Sequence, residues 1–347
     1  MKNIYGLTLE KLTEEMLSLE QKSFRAKQLF SWLYVKNATS FDEMSDISLK
    51  FREVIKEKYS IEKPKLFLKQ KSIDGTTKLL LEMRDGEKIE TVLMPYNYGN
   101  AICISTQVGC NMGCKFCASG LLKRKRNLST EELVGQVLIL NDVLRENNQN
   151  PVTHVVVMGT GEPFDNYDNV IDFIRIINSQ FGLAIGARHI TVSTSGIVPG
   201  ILKYGKEGLQ INLAVSLHAP TNQLRDIIMP INKAYPLEQL IPAIVQYGKD
   251  SNGRRVTYEY IMIQDFNDSE ECADKLIELI KPTFGYVNLI PYNRVIENDF
   301  YRSSNNRIHR FHDKLLKAGI KATIRKEFGA DIDAACGQLR AKYANKN

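Results

Sequence analysis

The sequence predicts an α/β protein whose parallel sheet is covered by helices, and three observations predict it. From about residue 100 onward, short β-branched runs alternate six times with stretches of helical periodicity. The 347 residues are 43% hydrophobic and 25% charged, which fits a folded chain with a sizeable core and argues against a disordered or fibrous one. No apolar run approaches the roughly 18–20 residues a membrane helix needs, so no membrane span is expected.

In chain order, residues 1–62 read as a small helical domain. Leu7, Leu9, Leu12, Met16 and Leu19 recur at near-helical spacing, and SFRAKQLFSWLY sets Phe24, Leu29, Phe30 and Leu33 on one side. Lys22, Arg25, Lys27 and the single tryptophan, Trp32, lie in or beside that segment, so it reads either as a nucleic-acid-binding module or as an ordinary helical domain. The opening residues carry acids at every turn and no continuous apolar stretch, so they do not read as a signal peptide. A cytoplasmic protein is the expectation. Residues 63–95 change period and carry Asp74-Gly75 and Asp85-Gly86, which are hairpin signals; they predict a short antiparallel adaptor.

The six β-α units follow. Strands are expected at 101–107, 154–159, 189–195, 211–219, 255–263 and 286–293, with a capping box at Ser129 and Glu132 opening the first intervening helix. A barrel and an open doubly wound sheet both satisfy this alternation. In either, active-site residues collect where strands end and helices begin.

Four of the six cysteines, Cys103, Cys110, Cys114 and Cys117, fall within 15 residues, while Cys272 and Cys336 stand apart. Six are too few for a disulfide scaffold in so long a chain, and the cluster reads as metal-binding or catalytic. Cys110, Cys114 and Cys117 form C-x3-C-x2-C on one loop. Three thiolates there can hold one inorganic centre. Four-ligand zinc and iron–sulfur sites both want a further ligand, and no fourth cysteine fits nearby, so an iron–sulfur cluster would keep one iron open. A zinc knuckle completed by one of the five histidines, or unrelated buried thiols, are the alternatives.

Charge is uneven. Residues 301–347 hold 11 Lys/Arg against 4 Asp/Glu, within a chain of net charge +6. A second basic run, Lys123 to Arg126, follows the cysteine loop. Each is a candidate polyanion contact or simply a solvated surface.

The cysteine loop resembles the cluster motif of radical S-adenosylmethionine (SAM) enzymes. The resemblance implies a partial (β/α)6 barrel and a 4Fe–4S cluster held by Cys110, Cys114 and Cys117, with SAM chelating the open iron and being cleaved to a 5′-deoxyadenosyl radical. GTGEP (159–163) resembles the superfamily's glycine–glutamate loop, so Gly161 and Glu162 are expected at the SAM amino group, a charge-assisted contact. Ser193, the run Ser216, Leu217 and His218, and Asn293 lie at later strand ends and by resemblance contact the SAM ribose, adenine and carboxylate.

FGADIDAACGQLR, with Cys336, together with Cys103 on the first strand, closely resembles the RlmN/Cfr family of RNA adenine methyltransferases. The match runs from RAKQLFSWLY to DIDAACGQL, essentially the whole chain. It implies four parts: a helical RNA-binding accessory domain (1–62), the adaptor (63–95), the radical SAM barrel (96–330) and a C-terminal segment carrying the methyl-bearing Cys336 (331–347).

The implied chemistry has a physical reason. C2 of adenine is an electrophilic carbon without a nucleophilic lone pair, so it cannot attack a sulfonium methyl directly. In the family the methyl goes first to the C-terminal cysteine, here Cys336, acting as a thiolate. A second SAM yields the radical that takes hydrogen from the S-methyl group, so two SAM are used per turnover. The methylene radical adds to C2, and Cys103 resolves the adduct by attacking the Cys336 sulfur, forming a transient disulfide. Glu90 matches the family's proposed proton acceptor; on residues alone it is a glutamate on a hairpin strand. Cys272 matches no motif and is expected to be a buried structural thiol.

By resemblance the substrates are an adenosine in the peptidyl-transferase centre of 23S rRNA and the adenosine 3′ of the tRNA anticodon, with an electron donor such as flavodoxin or ferredoxin. Such a base must leave its stack to be reached, and the two basic regions are expected to hold phosphates. By resemblance, GEP with Pro163 matches the C2-methylating branch of the family rather than the alternative, Cfr-like methylation of C8. Two readings from other classes compete: a radical SAM enzyme acting on a small molecule or peptide, and a non-catalytic iron–sulfur or zinc RNA-binding protein.

Overall fold

The computed structural model describes residues 1–339. The N-terminal region folds into three helices, α1 (Leu9–Ser18), α2 (Phe24–Tyr34) and α3 (Leu49–Lys58), closed by a short parallel pairing of Lys2–Asn3 with Tyr59–Ser60. Thr8 caps α1 by accepting from the Lys11 N–H at 3.2 Å. Leu12, Met16, Leu29, Phe30 and Leu33 are buried in a core continuous with that of the main body. Trp32 is only half-buried; its Nε1 donates to Asp46 and the Lys36 ammonium sits 3.5 Å from its ring centroid.

Ten strands form the main sheet: β1 (Lys65–Lys71), β2 (Thr77–Glu82), β3 (Lys88–Tyr96), β4 (Gly99–Cys103), β5 (Val152–Val157), β6 (Ile190–Thr194), β7 (Asn212–Ser216), β8 (Val256–Met262), β9 (Gly285–Pro291) and β10 (Ala322–Ile324). Their order in space is their order in the chain. β1 to β4 are antiparallel, with tight turns at Gly75 and Gly86, whose positive φ angles of 89° and 84° suit glycine. β4 to β10 are all parallel.

Sequential order decides between the two expected architectures. A doubly wound sheet reverses its order at a switch point. Here there is no reversal, and right-handed crossovers place every connecting helix on one face. These helices are α4 (Thr130–Glu146), α5 (Tyr167–Asn178), α6 (Val198–Gly205), α7 (Asn222–Ile228), α8 (Leu237–Asp250), α9 (Glu270–Ile280) and α10 (Asn305–Lys317). The expected capping box opens α4. One face of each strand, such as Ile102, Val155, Val192, Leu213, Tyr258 and Leu289, packs in the main core. The opposite face lines a shared cavity reached from β5 across to the end of β10, so the sheet curls into a partial barrel with its helices outside.

All six expected strands are present, displaced by no more than a few residues. β10 and the short α7 were not expected: three residues, ATI, carry too little pattern to register. Cys272 is buried on α9, as expected of a structural thiol.

Candidate active site

The loop after β4 carries Cys110, Cys114 and Cys117. Its backbone is fixed by N–H bonds from Cys110 to Leu122 O (2.9 Å), Lys115 to Ile228 O (2.9 Å) and Cys117 to Cys114 O (3.1 Å). The three thiols line one cavity with Gly161, Glu162, Ser193, Ser216, His218 and Cys336. Burial drives all three thiols upward, Cys110 to about 11, and neighbouring sulfurs add to the effect. A cationic centre would reverse that by ionising them. Among the described residues, no group of three or more His, Cys, Asp or Glu could hold a single metal ion. A multi-iron cluster spaces its thiolates more widely than one ion does, and three soft sulfur donors around a shared cavity suit it. His218, the one histidine among the described lining residues, accepts from the Ile261 N–H on Nδ1 at 3.1 Å, which leaves the zinc-knuckle alternative without a ready ligand.

Gly161 adopts φ +113°, and a Cβ there would stand 2.6 Å from Thr106 Oγ1 and 2.7 Å from Gln107 Cβ, so only glycine fits. The turn it makes buries Glu162, whose Oε1 accepts from Phe164 N–H (3.1 Å) and Oε2 from Ser195 N–H (2.7 Å). Burial raises this carboxyl above its ordinary range.

Ser193 and Ser216 come from the ends of β6 and β7 and line the cavity. His218 sits at φ +59°, packs edge-on against Phe116 of the cysteine loop at 4.7 Å between centroids, and is pushed down to about 3 by burial and the nearby Arg225, so its imidazole is neutral. Leu217 departs from expectation. Its side chain is buried in the helix-side core, its N–H is bonded to Glu259 O and its carbonyl accepts from Arg225, because alternation along β7 turns this position outward. Asn293 is not a lining residue of the main cavity; its Nδ2 lies 3.3 Å from Cys336 O and steadies the C-terminal arm.

That arm, from Gly329 on, is gripped from three sides. Ala118 N–H donates to Gly337 O at 2.7 Å and Ser119 Oγ to Leu339 O. The β1–β2 turn holds it through Ser72 with Asp331 and through Gly329 N–H donating to Asp74 at 2.9 Å. The result places Cys336 in the cavity of the three-cysteine loop. A smaller adjoining cavity is lined by Cys103, Cys117, Cys336 and Arg325. Both Cys103 and Cys336 are free thiols, so the disulfide of the expected cycle is not formed here. Burial pushes Cys103 up to about 12. Glu90 is buried on β3 beneath the arm, on the same sheet face as Val92 and Met94, which line the smaller cavity.

Three functional positions escaped sequence reading. Arg225 is fully buried and donates to the carbonyls of Ser195 (2.6 Å), Leu217 (3.1 Å) and Ser216 (3.2 Å) and to Asn232 Oδ1 (2.8 Å), clamping two strand ends together. Arg325, just past β10, faces Cys336 and lies 3.7 Å from Glu259; that negative company raises its guanidinium above the ordinary value despite burial. Glu259 lines the main cavity, and burial raises its carboxyl. None of these lies in a contiguous motif.

Three of the four cations in the Lys123–Arg126 run, expected at phosphates, pair with acids of this chain. Arg124 pairs with Asp165 (3.3 Å), Lys125 with Glu87 (2.8 Å) and Arg126 with Asp85 (2.6 Å) and Glu132 (2.7 Å), so its charge stitches the cysteine loop to the hairpin and to α4. In the other basic region, Arg302, Arg307 and Lys314 likewise have acidic partners. Arg340, Lys342 and Lys346, with the rest of the expected C-terminal segment past 339, lie outside the described residues.

A partial barrel with three cysteines on the loop after its first parallel strand, and a Gly-Glu turn after its second, defines a radical SAM enzyme. The sequence model of the Radical SAM superfamily matches residues 104–280, and that of the ribosomal RNA large subunit methyltransferase N-terminal domain matches 2–61. A protein of Spiroplasma citri named "Probable dual-specificity RNA methyltransferase RlmN" is 53% identical, covering 99% of this chain and 98% of its own. A protein of the same name from Enterococcus faecalis is 52% identical, covering 99% and 97%. The crystal structure of a radical SAM methyltransferase from Sphaerobacter thermophilus superposes with TM-score 0.92 at 41% identity, covering 99% of this chain and all of that one. The chain belongs to the RlmN family of dual-specificity RNA methyltransferases. Its superfamily implies a 4Fe–4S cluster and SAM as cofactors.

Proposed function

We propose that this RNA methyltransferase adds a methyl group to C2 of an adenosine, in the peptidyl-transferase centre of 23S rRNA and 3′ of the anticodon in tRNA, with Cys336 as the carrier. The observation that carries the reading is the convergence of Cys336 with Cys110, Cys114 and Cys117 on one cavity, and with Cys103 on the next. Cys110, Cys114 and Cys117 would hold the cluster. Gly161, Glu162, Ser193, Ser216 and His218 would hold SAM, with Leu217 limited to its backbone and Asn293 acting through the arm. When bound, the cluster and two SAM per turnover supply the methyl group and the one-electron chemistry.

The chain's own steps follow. Cys336 attacks the methyl as a thiolate, in a cavity that Arg325 also lines. Once hydrogen is taken from the S-methyl group, its carbon bonds to C2 of the base. Glu90 takes the C2 proton; the bound cluster would supply the acceptor for the adduct's one surplus electron. The Cys103 thiolate then attacks the Cys336 sulfur: the S–S bond forms, the C–S bond breaks with its electron pair on carbon, and that carbon takes up a proton as methyl. An external electron donor such as flavodoxin or ferredoxin would feed the one-electron chemistry, and two-electron reduction of the disulfide by a thiol-class reductant resets the enzyme. Residues 1–62 serve as an RNA-binding accessory domain, 63–95 as adaptor, 96–330 as barrel and 331–347 as carrier segment, in a cytoplasmic enzyme.

The test uses anaerobically reconstituted protein with an rRNA fragment and a tRNA transcript. Cys336→Ala should accept no methyl and modify neither RNA; Cys103→Ala should trap a covalent protein–RNA adduct. Mass mapping of the methyl on C8 would favour the Cfr-like alternative, and free methylated RNA from Cys103→Ala at the normal rate would remove that residue's role.

A further inference from the structure

Lys78 and Glu90 form the most deeply buried of the ion pairs among the described residues, Nζ to Oε1 3.2 Å, with side chains 6% and 4% exposed. They lie on β2 and β3, where Lys78 is opposite Val92 and Glu90 opposite Leu80, so the pair reaches diagonally across one sheet face. The next residues on that face, Val92 and Met94, line the cavity of Cys103 and Cys336. Lys78 Nζ also donates to Asp333 O at 3.2 Å, three residues before Cys336. Asp333 holds φ +51°, so the arm turns sharply at the point where the lysine grips it.

Stability does not account for such a pair. Desolvating an ammonium and a carboxylate roughly cancels their attraction, and apolar residues of equal volume would serve as well. The arm does not need Lys78 to stay attached, because Ser72, Asp74 and Ala118 hold it independently. Lys78 joins Glu90 to the segment that carries the methyl.

We propose that Lys78 is a positioning residue for adduct resolution: it registers the Glu90 side chain against the Cys336 arm, so that a base bonded through carbon to Cys336 presents its C2–H to Glu90. This rests on the reading above in which Glu90 takes that proton. The proton goes to the Glu90 carboxylate and the C–H electron pair stays in the purine ring; the cluster, when bound, would supply the acceptor for the ring's one surplus electron.

The experiment uses anaerobically reconstituted holoenzyme with SAM and an rRNA fragment, reading three quantities: S-methylation of Cys336 by peptide mass, covalent protein–RNA adduct by denaturing gel, and free methylated RNA. Lys78→Met should methylate Cys336 as the wild type does, accumulate adduct, and release methylated RNA at least about ten-fold more slowly, as loss of an oriented general base requires. Lys78→Arg should recover much of the release rate, and Glu90→Gln should trap adduct as well. If Glu90→Gln traps adduct while Lys78→Met releases RNA at the wild-type rate, the role of Lys78 is overturned and that of Glu90 stands. If Glu90→Gln itself releases RNA normally, the underlying reading fails. Loss of Cys336 methylation in both Lys78 variants would make the lysine a structural residue and overturn the proposal.

Discussion

Replacing Arg225 with methionine perturbs the site at the strand ends that it clamps, and removes a cation near Cys114. The guanidinium makes four hydrogen bonds, three of them to carbonyls at the ends of β6 and β7. At about 1.5 kcal/mol each for a charged donor, their removal costs on the order of 6 kcal/mol. Burial of the charge works the other way: it lowers Arg225 to about 10, a desolvation cost of roughly 3 kcal/mol that methionine relieves. The net loss is about 3 kcal/mol. For a protein larger than 250 residues that is a fall of about 6 °C in Tm. Because the freed carbonyls belong to Ser195, Ser216 and Leu217, beside the proposed SAM contacts, SAM affinity should fall too. The assay is thermal unfolding and SAM binding by the anaerobic holoprotein, for Arg225→Met and for Arg225→Lys, which should lie between. A Tm within 1 °C of wild type together with unchanged SAM affinity would refute this account of the clamp.

Other outcomes follow from the same geometry. Gly161→Ala must relieve both a positive φ and contacts near 2.6 Å, so SAM binding by the reconstituted protein should weaken at least about ten-fold. Replacing Cys110, Cys114 or Cys117 by alanine should abolish iron retention and cluster absorbance, whereas Cys272→Ala, in the core behind α9, should cost about 1 kcal/mol of stability and leave iron content intact. Burial raises the Asp74 carboxyl, but bonds from Gly329 and Thr76 outweigh that and bring it to about 2. A lowered carboxyl pKa stabilises the fold above the unfolded value near 3.8 and loses that contribution as pH falls toward 2. Acid unfolding of the iron-free protein followed by circular dichroism should therefore be less steep between pH 4 and 2 in Asp74→Asn.

Much of the fold was legible because its signals are local. Six strands and their helices announce themselves by period, Asp74-Gly75 and Asp85-Gly86 by turn chemistry, and α4 by its capping box. The cysteine loop and the Gly-Glu turn are contiguous, so they could be read as motifs. The sequence leaves open whether the sheet is a barrel or doubly wound, since helix placement depends on strand order rather than on any one segment. It is equally silent on Arg225, Arg325 and Lys78. Their partners lie in other elements, and a single Arg or Lys in a strand or helix looks like a surface charge until the fold brings its acceptors around it. At Lys123–Arg126 the sequence shows four adjacent cations but not the acids that meet three of them: Asp165 pairs with Arg124, Glu87 with Lys125, and Asp85 and Glu132 with Arg126. Leu217 was included for its place in a motif, although alternation along β7 turns its side chain away.

The central claim is that Cys336 carries the carbon that ends on the RNA base. Single-turnover mass spectrometry with methyl-labelled SAM tests it most directly. Label should reach the Cys336 peptide first and then leave it as the labelled carbon arrives on adenine C2. Labelled RNA produced by an enzyme whose Cys336 never carries the label would contradict the account.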